Sequence, residues 1–257
     1  MGHNLILIKL GGSVITFKEK PLAANFEAIR KISYTLASVK TPIILIHGGG
    51  SFGHYWSEKY NMHSKPDQYD SHGISIVHES MIALNQIIVN SMIELGMNPY
   101  TIIPSMFIYD HKPITKKIKE LKSIVESSLI PITFGDVVYM EDKMYSILSG
   151  DALMSLLSKF LRPSKVIFTL NVDGIYKDMR NREILKELKN NNNSVRFSKV
   201  MQDVTGGMRR KVSEALKISD IGIDVMMVNG LKPERIINAI TGIGFEGTLV
   251  RGNRSSK

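Results

Sequence analysis

The stretch PIILIHGGGSFGH, Pro42 to His54, sets two readings against each other. Ile43–Ile46 is an apolar run of strand length, and it empties into four glycines flanked by His47 and His54. Taken alone, Gly48, Gly50 and Gly53 have the spacing of a dinucleotide-binding turn. That site also needs an acidic residue roughly 20 positions on, ending the next strand, to hold a ribose. Asp67 and Asp70 stand near that distance, but KYNMHSKPDQYDSH around them is polar and holds no strand. The fingerprint also belongs on the first strand of its domain, and here it follows the second. The dehydrogenase reading fails on context.

What remains is the physics of glycine after a strand. Backbone N–H groups free of side chains can converge on an anion, helped by a following helix N-terminus. The chain offers this in KLGGS (Lys9–Ser13), HGGGSFGH, SGD (Ser149–Asp151) and TGGMRRK (Thr205–Lys211). All are expected at strand ends, with His54 opening a helix, and two carry lysines. Together they predict a surface that holds several phosphates. No G-x-x-x-x-G-K-[ST] is present, and no H-R-D or D-F-G set, so neither a P-loop enzyme nor a protein kinase fits. Lys9 lies inside the apolar run Leu5–Leu10, where a lysine is costly unless its charge has a partner or the strand is an edge. Lys18 and Lys211 lie within reach of glycine loops.

Further out, strands and helices alternate. Ile29, Ile32, Leu36 and Val39 recur at helical spacing, and Ile74, Val77, Met81, Leu84, Ile88, Met92 and Leu95 mark a long helix ended by Gly96. Ile130–Phe134 reads as a strand, and Val137–Tyr139 with Met144–Ile147 as a hairpin. Ala152–Leu161 reads as a helix, Val166–Leu170 as a strand and Val212–Ile218 as a helix. Val225–Val228 follows as a strand, Pro233–Ile240 as a helix and Gly247–Val250 as a closing strand, with Asn190–Asn193 a polar loop. This predicts an α/β chain with a largely parallel sheet covered on both faces.

Of 257 residues, 43% are hydrophobic, enough for one large core or two fused lobes. No apolar run approaches the roughly 18 residues of a membrane span. The N-terminus lacks a signal-peptide layout, and no cysteine is present, so a cytoplasmic protein is expected. The formal charge of +9 would suit nucleic acid if Lys and Arg clustered with aromatics. They are scattered, apart from small groups at Lys116–Lys122 and Arg209–Lys211 that read as solvated faces. Neither nucleic acid nor membrane is an expected partner.

KLGGSVITFK, HGGGSFGH, GDVV followed by SGD, NVDGIY and DVTGGMRRK together resemble the amino acid kinase superfamily over nearly the whole chain. Within it, the histidine that ends HGGGSFGH resembles the isopentenyl phosphate kinases, and fosfomycin kinases share much of the pattern. The resemblance implies a single αβα-sandwich domain over 1–257. About 1–150 would bind the phosphoryl acceptor and about 151–257 ATP. It further implies Mg²⁺, held by the nucleotide phosphates rather than by a protein ligand, and a homodimer.

By the same resemblance, Lys9, Gly11, Gly12 and Ser13 match the phosphate-binding first loop, and Lys18 a transition-state lysine. Gly49 and Gly50 fall between acceptor and ATP phosphates, and His54 matches the residue that grips the acceptor phosphate. Gly150 matches an acceptor contact, and Asp151 a carboxylate that orients the lysines. Asn171, Gly207 and Lys211 match nucleotide contacts. The sequence departs from a frequent TDVDG at Leu170-Asn171-Val172-Asp173-Gly174, which touches the adenosine side. The implied reaction is ATP-dependent phosphorylation of isopentenyl phosphate. Rival readings are a fosfomycin or UMP kinase on this fold, or a non-catalytic nucleotide-binding protein. Ile74 and Val77 on the long helix, with Val137 and Ile147 across the hairpin, are candidate walls for a prenyl tail; core packing is the other reading. His47 reads equally as a structural or a site residue. His63, His72, His78 and His111 read as ordinary, and Asp173 and Asp203 as turn or helix caps.

Overall fold

The computed structural model describes residues 4–178, 181–188 and 206–254. In chain order the first strands are β1 (Ile6–Leu10), β2 (Ile43–His47), β3 (Pro99–Thr101), β4 (Ile108–Tyr109), β5 (Lys112–Pro113), β6 (Ile130–Phe134) and β7 (Asp136–Tyr139). They are followed by β8 (Tyr145–Leu148), β9 (Lys165–Leu170), β10 (Tyr176–Asp178), β11 (Glu183–Ile184), β12 (Glu187–Leu188), β13 (Val225–Asn229) and β14 (Thr248–Val250). The helices begin with α1 (Gly12–Ile15), α2 (Phe26–Ala37), α3 (Gly50–Lys59) and α4 (Ser71–Ile93). They continue with α5 (Thr115–Glu126), α6 (Gly150–Leu161), α7 (Gly206–Asp220) and α8 (Glu234–Thr241). Asn190–Asn193 and Asp203 lie outside the described residues.

Eight strands form one sheet in the order β12-β14-β13-β9-β1-β2-β6-β3. Every neighbouring pair is parallel except β13 with β14. The alternation of side chains along each strand divides the interior in two. Ile6, Ile8 and Leu10 of β1, with Ile43 and Leu45 of β2, pack against α1, α2, α4 and α8. Leu7, Ile44, Ile46 and Phe168 face the opposite way, against α5, α6 and α7. Burial at about 1.5–3 kcal/mol per large apolar side chain, rather than helix propensity, holds these helices in place. The result is the expected αβα sandwich. Thr115–Glu126 exposes its lysines but is a helix, because Ile118 and Leu121 bury themselves beneath it.

The site follows from strand order. From β1 the chain crosses to β2 on one side, while β9 pairs on the other side and leads on to β13. Where parallel connections diverge, a crevice opens beyond the carboxyl ends of the strands. Gly11-Gly12 follows β1, Gly48–Gly50 follows β2 and Asn171 follows β9, so the first two glycine loops meet at that crevice. The β7–β8 hairpin, with Val137 opposite Ile147, stands over it as a separate antiparallel pair.

Candidate active site

Lys9 sits at the bottom of the crevice. Its strand lies between β2 and β9, so the edge-strand alternative is excluded and its charge must be met inside the protein. The partner is Asp151, 142 residues away, whose Oδ1 accepts from Lys9 Nζ at 3.0 Å. The other oxygen, Oδ2, accepts from Lys211 Nζ at 3.2 Å. Asp151 lies in the first turn of α6, where the helix dipole favours negative charge and Ser149 caps the helix by accepting from Ala152 N. Burial pushes the Asp151 carboxyl up, but the two lysines outweigh it and hold it below the ordinary carboxylate range. Burial pulls the Lys9 ammonium below its ordinary range despite Asp151. One carboxylate thus aims two cations.

The glycines let backbones come closer than side chains would permit. Gly50 has φ +49°, and a Cβ there would stand 2.7 Å from Gly12 O. A Cβ on Gly150 would stand 2.6 Å from both His47 O and Lys9 Cε. Thr16 stitches the first two loops together: its hydroxyl donates to Gly12 O at 2.7 Å and accepts from Ser51 N at 3.0 Å. Gly11 packs its Cα against the backbone of Thr169 and does not line the cavity, which makes it a structural member of the loop.

A cavity of about 830 Å³ opens above these loops. It brings together Lys9, Gly12, Ser13, Lys18, Gly49, Gly50, His54, Gly150, Asp151, Asn171, Gly207 and Lys211, residues drawn from every glycine-loop segment read from the sequence. His54 does not open its helix; α3 begins at Gly50, and His54 lies one turn in. It is exposed to the cavity and crowded by protein elsewhere. That crowding, then the positive charge of Arg210, lowers its pKa and favours the neutral imidazole. Arg210 lines the cavity too, in a motif where Gly207 and Lys211 were the expected contacts. Among the described residues, neither Lys18 nor Arg210 is ion-paired. Two cations without an ion-pair partner among the described residues thus face the cavity, which Glu19 and Glu58 also line, and they are available to phosphates.

The apolar wall is half what the sequence suggested. Val77 and Ile147 line the cavity; Val137 is buried behind them, and Ile74 lines a second cavity with Tyr69 and Tyr145. All four belong to, or pack against, one small cluster around Met62. His47 is structural. It is fully buried, stacks on Phe134, and has Gly48 O and Asn85 Oδ1 within hydrogen-bond reach.

Two ordinary-looking residues are not ordinary. His78 pairs with the buried Asp136, which lines the cavity, and His111 with buried Ser146. Asp173 is no simple cap: its Oδ1 accepts from Asn229 and Arg235 and meets Lys232 at 3.2 Å.

The amino acid kinase family model matches residues 4–229. The isopentenyl phosphate kinase of Thermoplasma acidophilum is 34% identical over 250 residues, covering 96% of this chain and 100% of its own. That of Methanothermobacter thermautotrophicus is 28% identical over 267 residues, covering 96% and 99%. The solved product complex of the T. acidophilum isopentenyl phosphate kinase matches with a TM-score of 0.80 at 31% identity, again over 96% of this chain and 100% of that one.

Proposed function

The chain belongs to the amino acid kinase family, and from that premise we propose that it transfers the γ-phosphoryl group of ATP to isopentenyl phosphate, giving isopentenyl diphosphate. The observation that carries this reading is a single cavity in which Lys9, Lys18, Lys211 and His54 converge on glycine loops while Val77 and Ile147 supply an apolar wall. The acceptor oxygen is already anionic, so no general base is needed. Phosphoryl transfer then asks of the protein alignment and positive charge, which preorganised cations supply without reorganising.

In this reading His54 donates a hydrogen bond to the acceptor phosphate, beside Gly49 and Gly150. Lys9 and Lys211, aimed by Asp151, bracket the transferred group. Lys18, free on its loop, meets charge as the transition state forms. Gly12, Ser13 and Gly50 cradle donor phosphates, and Asn171 and Gly207 face the nucleoside side. Residues to about 150 would form the acceptor lobe and the rest the ATP lobe. Among the described residues, no group of three His, Asp or Glu could hold a metal, and Asp151 has both oxygens engaged by lysines. In this reading magnesium arrives on the nucleotide phosphates, and no step here depends on it. No helix among the described residues is long and apolar enough to cross a membrane. The reading places the enzyme in the cytoplasm as a homodimer, which sedimentation of the purified chain would check.

A coupled ADP-release assay across isopentenyl phosphate, UMP and fosfomycin is the test. Turnover is expected with isopentenyl phosphate far above the other two; preference for either of those overturns the substrate.

A further inference from the structure

The apolar end of the cavity has two walls, α4 and the β7–β8 hairpin, and one polar pair ties them together. His78 Nδ1 lies 2.7 Å from Asp136 Oδ2. On the helix, His78 directly follows Val77, which lines the cavity. On the hairpin, Asp136 directly precedes Val137, which stands opposite Ile147. Asp136 also fixes its own neighbour, because Oδ1 accepts from Val137 N at 2.8 Å. A short polar chain therefore runs from one wall to the other, ending at both sides on residues of the apolar cluster.

Stability alone does not account for this pair. The Asp136 side chain is 1% exposed, and taking a carboxylate out of water costs several kcal/mol that one imidazole and one backbone N–H repay incompletely. Apolar residues of similar volume would pack the same gap at no such cost. Val77 and Val137 already hold the walls together through Met62, but apolar contact is non-directional and permits sliding. A charge-assisted hydrogen bond fixes a distance and an angle. The hydrogen bond to Asp136 raises the His78 pKa against burial, and burial raises the Asp136 carboxyl against His78, so in either form the pair keeps the proton that its hydrogen bond needs.

We propose that the His78–Asp136 pair is a positioning device that sets the separation of α4 from the β7–β8 hairpin and so selects the length of the acceptor's apolar tail. This rests on the acceptor reading above, and it adds two residues that lie outside the glycine loops and their lysines.

The test compares wild type, His78→Ala, His78→Asn and Asp136→Asn with isopentenyl phosphate and geranyl phosphate, alongside thermal melts. Asparagine places an amide donor near the position of Nδ1, so His78→Asn restores part of the tie. For His78→Ala, KM for isopentenyl phosphate should rise and KM for ATP stay level. The ratio of kcat/KM for the two acceptors should move roughly tenfold toward geranyl phosphate, the scale of discrimination a few methylenes permit. Asp136→Asn should shift the ratio the same way, and His78→Asn should recover most of the wild-type value. A fixed ratio accompanied only by a lower melting temperature would make the pair a structural stitch and overturn the proposal, as would KM values for acceptor and ATP rising together. Should His78→Ala fail to fold, the ratios of His78→Asn and Asp136→Asn decide by the same criterion. A wild type that turns over neither prenyl phosphate would overturn the functional reading and the proposal with it, an outcome no variant can mimic.

Discussion

Asp151 accepts from two ammonium groups, so neutralising it does more than removing either lysine. With Asp151→Asn, burial acts on Lys9 unopposed and drives its pKa further down. At neutral pH the variant should lose on the order of 10³-fold or more in kcat/KM, as cooperating charge contacts do. Its pH–rate profile should move so that residual activity rises on acidification, when Lys9 regains its proton. Steady-state kinetics across pH reads this directly; a parallel, unshifted profile would mean that Lys9 keeps its proton without Asp151. His54→Ala should cripple acceptor turnover and spare ATP binding, whereas His54→Gln, a neutral donor, keeps part of the activity. Lys18→Ala should act mainly on kcat, because an exposed lysine with no ion-pair partner among the described residues meets charge only as it develops; an effect confined to KM counts against that role. Lys9 was readable because an apolar strand does not tolerate a lysine without a reason, whereas Lys18, His54, Asp151 and Lys211 took their expected roles from the resemblance of the motifs that hold them. His78 and Asp136 were readable in neither way, since their meaning lies in a bond across 58 residues that neither local sequence announces.

Among the elements, the buried strands and amphipathic helices were legible because burial on two faces or one stamps a distinct period on the sequence. Thr115–Glu126 carries the helical signal too, in Ile118 and Leu121, but four lysines drew the reading toward charge. The three-residue edge strand β3 has too few positions to show any period. Spacing put Ile74 and Val77 on one face of α4, which is correct, yet a face is wider than a pocket. Val77 reaches the main cavity and Ile74 the second one. That division separates two variants. Ile147→Ala should enlarge the slot directly and raise kcat/KM for geranyl phosphate relative to isopentenyl phosphate. Ile74→Ala thins the partition between the cavities, so its effect should be smaller for geranyl phosphate and grow with longer prenyl phosphates. If Ile74→Ala proves the more permissive toward geranyl phosphate, the partition is placed wrongly.

For the whole molecule, a parallel sheet was legible but its order was not. The neighbours of β1 are β2 and β9, and the second pairing joins Ile6 to Lys165, a distance in sequence that no periodicity spans. Yet that order creates the crevice, and it places His47 beneath it, fully buried. A neutral ring can donate to only one of its two oxygen partners, and protonation would satisfy both. Burial nevertheless dominates and pulls the pKa from 6.5 to about 4. The sign of the consequence follows from linkage. Below pH 6.5 the unfolded chain protonates this histidine while the folded chain does not, so stability present above 6.5 is lost as pH falls toward 4. The loss is about 3 kcal/mol by pH 4, from roughly 2.5 pKa units at about 1.4 kcal/mol each. His78 has the opposite sign: its raised pKa contributes stability below 6.5 that is lost as pH rises through the folded value. Stability should therefore peak near neutrality and decline on the acid side. For a chain of this size that decline is on the order of 5–10 °C in Tm from His47 alone. His47→Gln, which cannot titrate, should start from a lower Tm and show a flatter slope between pH 6.5 and 4. Melts of both proteins across that window provide the comparison, and equal slopes would assign the acid sensitivity to the carboxylates instead.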